Sequence, residues 1–220
     1  MVSIITQDMF VTVTSKINVL FDFDGVIKES VKAKSEVFAK LFSPFGDDIV
    51  ELVQDHHDAH GGMSRFDKLP IYIKWTGQEV TQKLIDKYAE KFSLLVKQKV
   101  IDSDWVDGVL EYLQQNYQRQ QFFIVTATPQ QEIEDILEKL KITDYFKQVF
   151  GSPINKNEAI KFILDKYKIN RHQTIMIGDS SSDYKAATEN QIAFILRKTW
   201  LNRQLQEQLN CQMIENFKNE

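Results

Sequence analysis

Three short apolar runs, each ending in a cluster of polar residues, constrain most strongly what this chain can fold into. The runs cover Ile17–Phe21, Phe122–Val125 and Thr174–Ile177, and a fourth run, Ile192–Leu196, follows the last of these. Short runs without polar alternation are typical of strands in a parallel sheet whose two faces are both buried. Because the carboxyl ends of such strands line one crevice, the polar residues that follow them are predicted to meet there.

Helical patterns between these runs complete an alternation of strands and helices. Helices are predicted over residues 108–117, from Thr128, from Asn155 and over residues 182–189. Thr128 and Gln131 match a capping box around Pro129, and Asn190 is predicted to end the last helix in a left-handed conformation. The alternation predicts an α/β fold with a doubly wound, Rossmann-like parallel sheet.

A long segment interrupts the alternation directly after the first strand. Residues 28–98 carry helical patterns and contain no convincing strand. A segment of this length between the first strand and the next strand–helix unit is predicted to be an inserted domain. We therefore predict an α/β core made of residues 1–27 and 99–220, with an inserted α-helical cap domain over residues 28–98.

The composition narrows the classes of partner and compartment. The 220-residue chain has a net charge of −4 spread along its length, so no basic face predicts a nucleic-acid partner. The single cysteine, Cys211, rules out an internal disulfide and suits a reducing compartment. Residues 1–18 lack the pattern of a secretory signal, and no apolar stretch approaches the length of a membrane span. The sequence therefore predicts a soluble cytoplasmic protein, a monomer or a homodimer, without a membrane partner.

The first polar cluster places two carboxylates, Asp22 and Asp24, on either side of Phe23. In a continuing strand these side chains would point to opposite faces, so the strand is predicted to end here, and Gly25 permits the turn. One carboxylate can then attack phosphorus while the other transfers a proton.

The later clusters add groups that suit a phosphorylated ligand. Thr126 carries a hydroxyl that can donate to a phosphate oxygen, and Asp179 and Asp183 offer the hard oxygen ligands that Mg²⁺ requires. Several carboxylates in one crevice would repel one another, and a divalent cation together with Lys156 removes that cost. The same positive charges would stabilise the transition state of phosphoryl transfer.

Four segments of the chain together resemble the motifs of the haloacid dehalogenase superfamily. They are DFDGV at 22–26, IVTATP at 124–129, SPINK at 152–156 and GDSSSD at 178–183. Each segment alone is a common pattern, whereas the four in this order span nearly the whole chain. The insertion after the first motif resembles the helical cap of the subgroup that contains phosphoglycolate phosphatase and β-phosphoglucomutase.

The resemblance implies a catalytic role for several of these residues. Asp22 would be the nucleophile that forms an aspartyl-phosphate, and Asp24 would act first as general acid and then as general base. Lys156 would steady the nucleophile and the phosphate. Thr126 and the backbone amide of Ala127 would hold the phosphate.

The resemblance also implies a Mg²⁺ cofactor. Asp22 would bind the ion through one carboxylate oxygen and Asp24 through its backbone carbonyl. Asp179 would complete the site, with Asp183 either binding the ion or supporting its ligands.

The predicted cap contains two local patterns with alternative interpretations. His56 and His60 lie one helical turn apart, but without a nearby cysteine or a third ligand a structural or surface role is favoured over a zinc site. Two glycines then break the helix before Arg65, which predicts a cap loop that carries Arg65 to an anionic substrate. The alternative is a helix junction with a new N-cap at Ser64.

These features favour a Mg²⁺-dependent phosphatase that acts on a small phosphorylated metabolite such as a sugar phosphate. A 2-haloacid dehalogenase of the same family would lack the second aspartate, so Asp24 argues against that activity. A phosphomutase of the β-phosphoglucomutase type and a non-catalytic binding protein on the same fold are the alternatives.

Overall fold

The computed structural model describes residue 13 and residues 16–218. Most of the N-terminal stretch used above to argue against a secretory signal lies outside these residues. Within them, none of the helices combines the length and the apolar character that a membrane crossing requires.

Six strands form one sheet in which every neighbouring pair is parallel. In chain order they are β1 (Asn18–Phe21), β2 (Gln121–Pro129), β3 (Phe146–Ser152), β4 (Thr174–Gly178), β5 (Ala193–Arg197) and β6 (Gln212–Ile214). Their order across the sheet is β3-β2-β1-β4-β5-β6, so the chain builds outwards from β1 to β3 and then adds β4 on the other side of β1. The switch point of this doubly wound sheet lies between the carboxyl ends of β1 and β4.

Nine α-helices accompany the sheet in the part of the chain that the structure describes. They are α1 (Val31–Phe42), α2 (Asp47–Ala59), α3 (Arg65–Trp75), α4 (Gln82–Asp102), α5 (Val109–Asn116), α6 (Gln130–Leu140), α7 (Lys156–Tyr167), α8 (Ser181–Glu189) and α9 (Arg203–Gln208). The first four follow one another without an intervening strand, whereas α5 to α9 alternate with β2 to β6.

Side chains of β1 point alternately into two hydrophobic clusters, one on each face of the sheet. Val19 and Phe21 pack in one cluster with Ile133 of α6, and Leu20 packs in the other with Ile160 of α7. All five side chains are fully buried. Burial on both faces explains why the strands appear as continuous apolar runs in the sequence, and the predicted doubly wound, Rossmann-like parallel sheet is confirmed.

The inserted segment is a helical bundle in which α1 packs against α2 and α4. The rings of Phe38 on α1 and Phe92 on α4 lie 4.1 Å apart, and Tyr72 of α3 meets Phe38 edge to face at 5.3 Å. The predicted border at residue 98 falls inside α4, which continues to Asp102.

The two stretches of chain that join the bundle to the sheet run side by side. The amide of Val106 donates to the carbonyl of Ile27 at 3.1 Å, and the amide of Glu29 donates to the carbonyl of Asp104 at 2.9 Å. We call residues 27–30 and 103–106 the paired linkers. Both covalent attachments of the bundle therefore lie at one place on the core.

Several local predictions were wrong or incomplete. Strand β2 runs through Pro129, and α6 begins at Gln130 without a side-chain cap, so the capping box at Thr128 is wrong. Asn190 has a φ of −90°, and the left-handed residue is Gln191, one position later. Strands β3 and β6 were not predicted.

Candidate active site

Asp22 and Asp24 lie directly after β1, at the switch point of the sheet. The amide of Asp22 still donates to the carbonyl of Ile177 in β4, at 2.9 Å, and the chain then turns away from the sheet. Gly25 makes this turn with a φ of 77°, and a side chain at this position would collide with the carboxylate of Asp179. The glycine therefore allows the loop after β1 to lie against the loop after β4.

Lys156 joins two of the predicted acids. It is the first residue of α7, and its neighbour Asn155 caps the helix by accepting from the amide of Glu158 at 2.9 Å. The buried Nζ donates to Asp22 Oδ2 and to Asp183 Oδ1, both at 2.6 Å. Burial lowers the pKa of Lys156, but the charges of Asp183 and Asp22 outweigh it and raise the pKa above its ordinary value. Lys156 therefore stays protonated between the two carboxylates.

Three carboxylates are gathered where β1 and β4 end. Asp22, Asp179 and Asp183 each present an oxygen, and these oxygens all lie within 4.8 Å of one another. Burial raises the pKa of Asp22 to about 6 against the attraction of Lys156, and the charge of Asp183 adds to the rise. Burial and the charges of Asp22 and Asp183 raise the pKa of Asp179 well above its usual range. This repulsion and the all-oxygen donor set fit a divalent cation such as Mg²⁺.

Asp24 is held by groups that come from three parts of the chain. Ser30 donates to Asp24 Oδ1 at 2.5 Å, Lys34 of α1 forms an ion pair with Oδ2, and Thr128 donates to Oδ2 at 3.0 Å. Burial raises the pKa of Asp24, but Lys34 and these hydrogen bonds outweigh it and lower the pKa below its ordinary value. Asp24 is therefore an ionised carboxylate in this structure, a state that can accept a proton but cannot donate one as a general acid.

Asp22, Asp24 and Asp179 face a cavity of about 40 Å³ between the core and the helical bundle. Its walls include Asp22, Thr126 and Ala127 from the core, and Lys34, His57 and Lys68 from the bundle. This volume has room for about three water molecules, so the bundle closes tightly over this side of the site. Beyond Thr126 and Ala127 the site opens into a wider cleft of about 480 Å³.

Arg65 lies at the start of a helix, so the expectation of a loop at this position is wrong. Ser64 precedes it as the N-cap of α3, and its hydroxyl accepts from the amide of Asp67 at 3.4 Å. This is the helix junction that the sequence offered as the alternative. Gly62 before it serves a close contact instead, because a side chain at this position would collide with Ser180 and Ser182 on the core.

The guanidinium of Arg65 is already engaged across the boundary between bundle and core. It forms a two-pronged ion pair with Glu132 of α6, and both side chains are 4% exposed. Arg65 Nη1 also donates to Ser93 Oγ at 2.6 Å, and the guanidinium carbon lies 4.5 Å from the centroid of the Phe92 ring. Arg65 does line the cavity, and its contact with a substrate stays a prediction.

The histidines of α2 have structural partners. The rings of His56 and His60 stack at 4.2 Å, and His56 Nδ1 lies 3.2 Å from the hydroxyl of Tyr72. Among the residues that the structure describes, the three clustered aspartates are the group that could hold a metal, and no histidine belongs to it. These contacts favour the structural role over the zinc site.

Sequence reasoning missed the residues around Asp24. Ser30 and Lys34 lie one helical turn apart where the first helix of the bundle begins, directly after the first motif. That spacing was the available signal, since it puts a hydroxyl and a cation on one helix face beside Asp24. Thr128 was noticed only as a helix cap, although its hydroxyl is bound to Asp24.

Known proteins resemble this chain in sequence and in fold. The model of the haloacid dehalogenase-like hydrolase family matches residues 19–196. A phosphorylated carbohydrates phosphatase of Thermotoga maritima is 25% identical over 77% of this chain and 79% of its own. A phosphoglycolate phosphatase of Aliivibrio fischeri is 27% identical over 77% and 78%. The crystal structure of β-phosphoglucomutase from Clostridium difficile, 18% identical, covers 92% of both chains with a TM-score of 0.74, which shows a shared fold.

Proposed function

The chain belongs to the haloacid dehalogenase-like hydrolase family and is a phosphoric monoester hydrolase, and we propose that it hydrolyses a small phosphorylated metabolite through an aspartyl-phosphate on Asp22. Relatives named for phosphorylated carbohydrates and for phosphoglycolate support a small-molecule substrate, with a sugar phosphate as one candidate. We assign residues 31–102 to a cap over the catalytic core. The cytoplasmic location, the oligomeric state and the lack of a nucleic-acid partner stay predictions from the sequence.

The contact of Lys156 with both Asp22 and Asp183 is the observation that carries this proposal. A buried lysine between two buried carboxylates, with Asp179 beside them, is a costly arrangement for a purely structural network. It is the arrangement that a phosphoryl-transfer site needs, because the nucleophile must stay ionised and the incoming phosphate needs cations.

The residues divide the proposed reaction into two displacements. In the first, an oxygen of Asp22 bonds to phosphorus, the bond from phosphorus to the leaving oxygen breaks, and the leaving oxygen takes up a proton from water, since Asp24 is ionised in this structure and has none to donate. In the second, water attacks phosphorus, the bond to Asp22 breaks, and Asp24 accepts the proton of the water. Asp24, held as a carboxylate by Ser30, Lys34 and Thr128, is in the state that this second displacement requires.

The remaining groups of the site bind the phosphate and balance its charge. The Thr126 hydroxyl and the Ala127 amide are proposed as donors to the phosphate oxygens, and both residues line the cavity beside Asp22. Mg²⁺ is proposed to bind to Asp22, Asp179 and the backbone carbonyl of Asp24, with Asp183 close by. When bound, the ion would offset the charge of the carboxylates and of the transferring phosphoryl group.

A release assay tests this function directly. The wild-type protein with Mg²⁺ is expected to release phosphate from at least one compound in a panel of sugar phosphates, phosphorylated acids and an aryl phosphate. Asp22→Asn should abolish release, because an amide is not a competent nucleophile, while the control Asp165→Asn on the exposed face of α7 should behave as wild type.

Two other results would contradict the proposal. Transfer of the phosphoryl group between hydroxyls of one sugar, without release, would identify a phosphomutase. Absence of both release and transfer across the panel would favour a non-catalytic binding protein.

A further inference from the structure

Lys68 and His57 form a buried, hydrogen-bonded pair on the cap wall of the cavity. Lys68 is 1% exposed and His57 is 4% exposed, and Lys68 Nζ lies 2.9 Å from His57 Nδ1. In the described part of the chain Lys68 forms no ion pair with a carboxylate, and its hydrogen bonds go to His57 alone. A buried ammonium group without a counter-ion destabilises the folded protein. Its place on a cavity wall therefore suggests that a partner enters from the cavity.

The contact between the two side chains fixes the tautomer of the histidine. When Lys68 is protonated its ammonium group can only donate, so His57 Nδ1 is then the acceptor and Nε2 carries the hydrogen. Burial, followed by the charges of Lys68 and Lys34, lowers the pKa of His57 well below its ordinary value, so the ring is neutral. His57 Nε2 is buried and has no hydrogen-bond partner. Both side chains line the cavity, and the N–H of His57 Nε2 is left without a hydrogen-bond partner.

The charges around Lys68 favour an anion as the missing partner. Lys34 of α1 repels Lys68, while Asp58 of α2 and Asp24 attract it from beyond ion-pair distance. Burial and the charge of Lys34 together lower the pKa of Lys68 to about 7. A carboxylate or phosphate oxygen beside Lys68 would restore its charge, and such oxygens accept hydrogen bonds and donate none when ionised.

We propose that Lys68 and His57 bind a second anionic group of the substrate, a carboxylate or a phosphate on the leaving group. This inference rests on the proposed function, because it assigns the leaving group of the same site. Asp22 and Lys68 line one cavity that opens into the wider cleft beyond Thr126 and Ala127, so we infer that one substrate molecule reaches both residues when the bundle moves to admit it. The substrate class is then a phosphate monoester whose alcohol portion carries its own negative charge.

Matched pairs of small esters test the proposal by turnover. Phosphate esters of two- to four-carbon hydroxy acids are compared with the esters of the diols in which a hydroxyl group replaces the carboxylate. A third set carries a second phosphate at that position and distinguishes the two kinds of anion. The wild type is expected to prefer an anionic member of the series by about ten- to a hundredfold in kcat/KM.

Two lysines on the same helix provide the variant and its control. Lys68→Met should reduce the preference for the anionic ester over its diol partner to about the level of no discrimination, since the charged donor is gone. Lys74→Met removes the same charge from an exposed position of α3 and should leave the preference intact. Lys68→Gln is made in parallel, so that a folded variant is in hand if the methionine variant aggregates.

Binding to the inactive Asp22→Asn protein separates this proposal from the proposed function. Calorimetry with the same esters should give tighter binding of the anionic member, and Asp22→Asn combined with Lys68→Met should lose that difference. If the wild type released phosphate from no ester, the proposed function would fail, and the binding comparison would still decide the subsite. Equal preference in Lys68→Met and Lys74→Met, or no preference at any chain length in either assay, would overturn the subsite.

Discussion

The buried ion pair between Arg65 and Glu132 should hold the cap on the core. Removing only one of its two charges should therefore strongly lower the free energy of unfolding. Each side chain is 4% exposed, and the guanidinium and the carboxylate meet through two parallel hydrogen bonds. Breaking a buried pair by removing one partner costs about 3 to 5 kcal/mol, because the other charge is left buried without compensation. Arg65→Met and Glu132→Gln should each lower the free energy of unfolding by roughly this amount.

The double variant is the informative one. With both charges removed, no buried charge is left unpaired, so Arg65→Met with Glu132→Gln should cost less than the sum of the single changes by several kcal/mol, roughly the size of either single effect. The control is Lys97→Met, which breaks a second cap–core ion pair, with Asp135, between α4 and the same helix α6. Because those side chains are partly exposed, its loss should change stability little. Urea unfolding of the four variants and the wild type measures all of these differences.

The same variants decide whether Arg65 contacts the substrate. If it acts only as a partner of Glu132, Arg65→Met and Glu132→Gln should lower kcat/KM alike, on a sugar phosphate and on a small aryl phosphate. If Arg65 also binds the substrate, Arg65→Met should lose about ten- to a hundredfold more on the sugar phosphate than Glu132→Gln does. Additive single and double costs, or single costs as small as that of Lys97→Met, would refute the argument from the buried pair.

Three further predictions concern the metal, the second displacement and the buried lysine. Removal of divalent cations with a chelator should abolish phosphate release, and added Mg²⁺ should restore it; full activity of the metal-free protein would contradict the assigned ligands. Asp24→Asn should accumulate phosphorylated protein in rapid-quench experiments, because no base then activates water, and accumulation no greater than in wild type would exclude Asp24 as that base. Lys68→Met should be more stable than wild type near neutral pH. With a pKa of about 7 in the folded protein, Lys68 binds fewer protons there than in the unfolded chain. The free energy of unfolding of the wild type, relative to that of Lys68→Met, should therefore rise by roughly 2 kcal/mol between about pH 7 and about pH 9, as measured by urea unfolding. A difference independent of pH would contradict a neutralised lysine beside Lys34, His57 and Asp58.

The core of the site could be predicted from the sequence because its residues are placed by the sheet itself. Asp22 and Asp179 each follow a buried strand. Parallel pairing of β1 with β4 places the two strand ends side by side, independently of the conformations of the loops. The position of Lys156 could also be predicted, because the Asn155 cap fixes where α7 begins. The edge strands were harder, because β3 is only partly buried and β6 has three residues, so neither gives a continuous apolar run.

The contacts made by the cap could not be predicted, because they depend on how the helical bundle meets the core in three dimensions. Lys34 reaches Asp24, and Arg65 reaches Glu132, across a boundary that no local pattern encodes. The error at Thr128 has the same origin. Its spacing suits a helix cap, but Asp24, 104 positions earlier in the chain, binds the hydroxyl instead. Local propensity was outweighed there by a tertiary hydrogen bond to a charged group.

The paired linkers make the cap an insertion whose two ends lie side by side on the core. Since the carbonyl of Ile27 accepts from the amide of Val106, the chain leaves the core and returns to it within the length of one hydrogen bond. A segment of any length that begins and ends at this bond leaves the spacing of β1 and α5 unchanged, although the segment present here also supplies Lys34 to Asp24. Replacement of residues 31–102 by a short turn should therefore preserve the spacing of β1 and α5, while it opens the carboxylates to water, removes Lys34 from Asp24 and abolishes the proposed choice of leaving group.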